Sequence, residues 1–186
     1  MGGGPPADCF HRRCTRHLGR DRRGSLKKPR VRNAEIAGAR VENEITIRAA
    51  RPGDARFLGE LLGQLGYPAK AEDIPSRLFA LQDFPKALAL VAVHRESVVG
   101  LVTAHIIPAI HASEPIALLT TLVVATSHRG QGIGSQLVSE VERWAAAHHA
   151  VRISVTSGLQ REDSHQFYEQ RNYQRSGLRF TKALAG

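Results

Sequence analysis

Apolar and polar positions first fall into a regular pattern at Glu44, where Ile45, Ile47 and Ala49 alternate with Thr46 and Arg48. A period of two predicts a strand with one buried face. Pro52-Gly53-Asp54 then reads as a turn, with Asp54 as the N-cap of a helix that carries Phe57, Leu58, Leu61, Leu62 and Leu65 at helical spacing and ends near Gly66. A second, shorter helix bears Leu78 and Leu81. Pro75 is tolerated only in a first turn, so this helix starts close to Ile74 and stops before Pro85. Residues 87–93 and 98–107 are β-rich apolar runs joined by Arg95-Glu96-Ser97, which suits an antiparallel hairpin. Pro108 closes the second run, 109–115 reads as a loop, and 116–125 is dense enough in Leu118, Leu119, Leu122, Val123 and Val124 to predict a central strand covered on both faces. Ile133, Leu137, Val141 and Trp144 draw one stripe down a helix reaching about His149. Val151, Ile153 and Val155 alternate as a fifth strand, 161–170 forms a short helix, and 173–182 reads as a closing strand. The order β-α-α-β-β-β-α-β-α-β predicts a mixed α/β (α+β) domain over residues 44–186, its central, mostly antiparallel sheet flanked by helices.

Residues 1–43 follow neither period. Gly2-Gly3-Gly4-Pro5-Pro6 and repeated arginines offer too little apolar surface to offset chain entropy, so this stretch is expected to be a disordered, basic N-terminal extension. It also explains the net charge of +9: it holds 11 of the 26 Lys and Arg against 4 of the 17 Asp and Glu, leaving 15 basic and 13 acidic residues for the domain. Phe10 is the extension's one aromatic, which argues against sequence-specific nucleic-acid binding. Cys9, His11, Cys14 and His17 are spaced more tightly than the usual zinc pairs, so no metal is assigned. Two cysteines, both in the extension, give the domain no disulfide framework, and neither a secretory signal nor a membrane-length apolar run is visible; the expectation is a cytoplasmic, soluble domain.

The candidate chemistry begins where the dense strand meets the long helix, at Arg129-Gly130-Gln131-Gly132-Ile133-Gly134-Ser135. A helix start presents unpaired N–H groups and about half a positive charge, and glycines clear the approach for an anion. Ser135 adds a hydroxyl and Arg129 a charge, so the segment predicts a diphosphate cradle. The glycines are spaced G-x-G-x-G. That departs from the dinucleotide fingerprint G-x-G-x-x-G, and no lysine completes a Walker loop.

Arg129, Gly132 and Gly134 also reproduce the pattern of the GNAT superfamily of N-acetyltransferases: Arg or Gln, two residues, Gly, one residue, then Gly or Ala. Leu122-Val123-Val124 stands where that family's splayed strand offers backbone groups to the pantetheine arm of acetyl-CoA. Phe167-Tyr168-Glu169 with Asn172-Tyr173 is similar to its segment Phe-Tyr-Glu, two residues, Gly and an aromatic. Arg161, Ser164 and Asn172 depart from the family's usual Asn, Ala and Gly. The resemblance covers residues 44–186 and implies a GNAT-like acyl-CoA N-acyltransferase fold and direct acetyl transfer from acetyl-CoA to a primary amine of a small molecule, peptide or protein. It also implies a homodimer of the kind common in the family, Tyr168 as general acid, and cofactor contacts from Leu122, Val123, Val124, Arg129, Gly130, Gln131, Gly132, Ile133, Gly134 and Ser135. The backbone N–H of Val123 or Val124 is placed to polarise the thioester carbonyl. The base is left open between a water chain and Glu114, His111 or His105. A non-catalytic acyl-CoA-binding module is the competing reading.

Overall fold

Alternating residues of the sheet's central strands face helices on opposite sides, and this sorts the apolar positions into two packed layers. In the computed structural model, which describes residues 44–184, the strands are β1 (Ile45–Ala49), β2 (Ala87–His94), β3 (Ser97–Ile107), β4 (Ile116–Val124) and β5 (Ile153–Val155). They form one sheet in the order β1-β2-β3-β4-β5, antiparallel throughout except for the parallel pair β4–β5. Helices α1 (Ala55–Leu65) and α2 (Ile74–Gln82) bury Leu58, Leu61, Ile74 and Leu78 with Val91, Leu101 and Val123. Helix α3 (Ile133–Ala147) buries Ile133, Leu137, Val138 and Val141 with Ala92, Val102, Ala104 and Leu119. Each Leu, Ile or Val among these removed from water contributes about 1.5–3 kcal/mol. Helix α4 (Glu162–Gln170) adds Phe167 to the α3 layer. What the sequence suggests for 1–43, including the basic arm and the Cys9, His11, Cys14 and His17 cluster, lies outside the described residues.

The start of the domain differs from its sequence pattern in one informative way. Ile45 and Ile47 pack toward α3 as expected, but Ala49 is exposed and Ala50, past the strand end, is buried beneath α1 and α2. The opposite face carries Arg48, whose guanidinium grips Asp54 through two bonds of 2.7 and 2.8 Å. Asp54 also accepts the Arg51 N–H at 2.8 Å and makes no capping bond to α1. The carboxylate thus closes the short turn at Arg51 and takes the guanidinium fork of Arg48, instead of capping α1. It is the buried polar residue of the described core. The Arg48 hydrogen bond holds the Asp54 carboxyl below its ordinary value, against the opposing effect of burial. The pair therefore stabilises the fold above the unfolded carboxylate range, and that contribution fades as pH falls through the lowered value. Asp54→Ala strands a half-buried guanidinium, and a loss of about 2–3 kcal/mol is expected in urea unfolding at pH 7, shrinking towards pH 3.

Two further expectations are corrected. Residues 173–182 form no strand: Leu178 and Phe180 are exposed and no ladder reaches them, because the polar and basic residues between them supply no continuous buried face. The fifth strand is only three residues long, with Val151 left exposed. Helix α3 stops at Ala147, just before His149 turns to a φ of 60°.

Candidate functional site

The site begins with an irregularity inside β4. Thr103 pairs with Thr121 and Ala104 with Leu119, so Thr120 is an extra residue, a β-bulge. The bulge reverses the strand's alternation. Before it Ala117 and Leu119 face α3; after it Leu122 and Val124 do, while Val123 is buried towards α1. Thr120 is therefore exposed, its hydroxyl 2.8 Å from that of Thr103, while the rest of the strand is covered on both faces as its composition suggested, by α3 at Leu122 and Val124 and by α1 at Val123.

The same place marks where β5 leaves β4. Pairing runs only from Ala117–Ile153 to Leu119–Val155, so the β5-facing edge of β4 has no strand partner over Thr120–Val124. Five residues of strand span about 16 Å. The outward N–H and C=O groups that no strand pairs can hold an extended, amide-bearing chain as an added strand would be held, the Val124 carbonyl apart, which accepts from Arg129. This edge leads into a 3-10 turn over Thr126–His128, then Arg129, and then the first turn of α3.

The glycines divide their work. Gly130 and Gly132 have φ of 74° and 77°, a left-handed backbone that non-glycine residues adopt at a cost. A Cβ added at either would meet nothing within 4 Å, so the helix start opens on unfilled space that an anion can occupy. Gly134 has another role, since a Cβ there would touch the Phe167 ring at 3.6 Å and Val124 at 3.7 Å. These are ordinary van der Waals distances, so Gly134 lies against α4 but the packing does not require a glycine. Ile133 is buried and can offer an anion only its backbone, Ser135 is half-buried, and Gln131 is exposed. Arg129 is exposed, and its Nε donates to the Val124 carbonyl at 3.1 Å, which folds the guanidinium over the end of β4.

Two tethers that no local pattern announces hold this arrangement. Gln64 of α1 accepts from both the Thr126 N–H (2.9 Å) and the Thr126 hydroxyl (3.1 Å), fixing the turn before the cradle. Arg161, one of the departures from the family pattern, donates to the Leu65 carbonyl and so ties the start of α4 to the end of α1 across the open edge. Asn172, another departure, stands at φ 63°, where asparagine is the most tolerant substitute for glycine. Arg171 and Tyr173 then anchor the end of α4 to Glu142 of α3, at 2.9 and 3.2 Å.

Tyr168 lies on α4 between Phe167 and Tyr173, with ring centroids 5.2 and 5.4 Å away. Burial pushes its phenol up to about 12, with the Arg161 charge pulling the other way. Its hydroxyl has no hydrogen-bond partner among the described residues.

The three candidate bases fall in different places. Glu114 is exposed in the loop before β4, on the side where β4 and β5 are still paired. His111 shares that loop and lies 3.2 Å from Arg152. His105 of β3 is on the α1/α2 face, one strand repeat beyond Thr103, with Phe84 stacked edge-on at 5.0 Å and Nδ1 buried without a partner. Burial lowers its pKa below the ordinary 6.5. Among the described residues no helix is long and apolar enough to cross a membrane.

Known proteins resemble the chain. An "Aminoalkylphosphonate N-acetyltransferase" from Salmonella typhimurium is 36% identical over 94 residues, which cover 50% of this chain and 61% of that protein. A solved transcriptional regulator from Bacillus halodurans superposes with a TM-score of 0.69 at 25% identity, covering 76% of this chain and all of that one. A putative acetyltransferase from Agrobacterium tumefaciens gives a TM-score of 0.68 at 24% identity, over 75% of this chain and 99% of its own, a likeness of fold. The profile of the Acetyltransferase (GNAT) family matches residues 59–173, from within α1 through the cradle to Tyr173. The chain therefore belongs to the GNAT family of acetyltransferases.

Proposed function

We propose that the protein transfers an acetyl group from acetyl-CoA directly to the primary amine of a small molecule or peptide, within a ternary complex in the cytoplasm. The observation that carries this reading is the unpaired β4 edge over Thr120–Val124, running into a helix start hollowed at Gly130 and Gly132. Acetyl-CoA brings matching chemistry: a diphosphate, an arm with two amides, and a thioester at its end. Gly130, Gln131, Gly132, Ile133, Gly134 and Ser135 would meet the diphosphate with backbone N–H groups, aided by the Arg129 charge, and Leu122, Val123 and Val124 would meet the amides. The name of the Salmonella relative supports a small amine as acceptor.

The chain's own groups then account for the protons. As the amine nitrogen bonds the carbonyl carbon and the C–S bond breaks, Tyr168 gives its phenolic proton to the departing thiolate. The raised pKa keeps Tyr168 protonated at working pH, and the same desolvation raises the basicity of a thiolate beside it. His105, neutral near pH 7, takes the amine's surplus proton through water. At the end of the cycle His105 releases the amine's proton to solvent and solvent returns one to Tyr168.

Thiol release with acetyl-CoA and a panel of primary amines tests the reaction. Double-reciprocal lines that intersect are expected; parallel lines would exclude direct transfer, and tight acetyl-CoA binding without turnover would establish the non-catalytic module. His105→Gln is expected to lower kcat about tenfold or more and to remove an acid limb lying below pH 6.5 in the kcat profile. An unchanged limb would assign that proton elsewhere.

A further inference from the structure

The open edge of β4 has a second neighbour on the side away from α3. Between the sheet and helices α1 and α2 lies a cavity of about 270 Å³ whose floor is Thr103, Thr120 and Thr121. It ends at the bulge, where β4 parts from β5. Its walls are leucines and Ile74, and Arg77 is the one charged residue lining it. No carboxylate lines it. Arg77 is more than half exposed, and its ion pair with Asp73 is loose, at 3.6 Å.

We propose that this cavity is the acceptor site and that it takes a small amine carrying an anionic group, with Arg77 binding the anion and the amine directed at the Thr120 bulge. The inference rests on the acetyl-transfer reading and names its substrate class.

Three features combine. The volume is enough for a short amine with a phosphonate, sulfonate or carboxylate. The walls suit a methylene stem and give a polycation no carboxylate to replace its water. A guanidinium at the rim offers a planar fork of donors to a tetrahedral or planar oxyanion, and the Asp73 contact is long enough for a ligand oxyanion to replace it. The threonine hydroxyls at the opposite end can orient an amine without charging it. The anion and the reacting nitrogen are thus separated along one molecule, which places the nitrogen where the thioester of a chain held along β4 would end.

The test compares aminoethylphosphonate, taurine and β-alanine with propylamine and putrescine, using full-length protein and saturating acetyl-CoA. Anionic amines are expected to exceed propylamine in kcat/KM by about ten- to a hundredfold, mostly through KM, and putrescine is expected to be the poorest. Arg77→Met should bring the anionic-to-neutral ratio close to one, and Arg77→Lys should restore part of it. Should Arg77→Met not fold, competitive inhibition of the wild type by ethylphosphonate against the amine gives the same answer. A wild-type ratio near one, a preference for putrescine, a ratio unmoved by Arg77→Met, or no inhibition by ethylphosphonate would overturn the assignment. If no amine is acetylated although acetyl-CoA binds, the acetyl-transfer reading itself fails. If amines are acetylated without regard to charge, only the acceptor assignment fails.

Discussion

Tyr168→Phe is expected to lower kcat by about a hundredfold or more while leaving acetyl-CoA affinity near the wild-type value. The substitution removes one oxygen and keeps the ring that packs between Phe167 and Tyr173, so α4 should remain seated on α3. The loss would then fall on proton delivery to the thiolate, a step absent from cofactor binding. Because burial raises the phenol to about 12, no basic limb from Tyr168 should appear in the wild-type kcat profile near the ordinary tyrosine value of 10. Removing the Arg161 charge should move that limb further up, since the charge opposes the effect of burial. Equal kcat for Tyr168→Phe and wild type, with thiol release followed directly, would remove the acid role and leave solvent as the donor.

The second large effect concerns the cradle. Arg129→Glu should weaken acetyl-CoA binding by about a hundredfold, as a charge-assisted contact is exchanged for repulsion at the diphosphate. Gly132→Val should act on the same affinity by another route. A β-branched residue at φ 77° costs about 1–2 kcal/mol, and its side chain would occupy the open space at the helix start. Calorimetry with coenzyme A separates the two: the Arg129→Glu deficit should shrink as salt rises, the Gly132→Val deficit should not. Affinity unchanged in both would mean that the anion site lies elsewhere. Gly134→Ala is the internal comparison. Its Cβ meets Phe167 at an ordinary van der Waals distance and replaces a glycine inside α3, so stability should hold or rise slightly and coenzyme A affinity should stay near the wild-type value.

Elements with a strong period were legible from the chain alone. The Leu58–Leu61–Leu65 stripe, its stop at Gly66, the Pro75 start of α2 and the β2–β3 hairpin all follow from local rules, and the structure places them where those rules do. The closing strand was not so determined: Leu178 and Phe180 have strand-like spacing, yet a strand also needs a neighbouring edge, which spacing does not report. Asp54 shows the same limit, because its residue type suits an N-cap and only the fold brings Arg48 within 2.7 Å.

For the site, the sequence by itself determined the glycine spacing, the Arg129 charge and the Tyr168 segment, because all three are carried by residues close together in the chain. Only the tertiary structure decided what they do together. It divided the glycines into Gly130 and Gly132, which leave room for an anion, and Gly134, which lies against Phe167. It located the bulge at Thr120, which depends on a register between two strands that neither strand's sequence encodes. It joined Gln64 to Thr126 and Arg161 to Leu65 over separations of 62 and 96 residues, and placed Arg77 over the threonine floor. Such contacts are set by which faces the sheet and helices bury against one another, a property of the packed whole that no window of sequence contains.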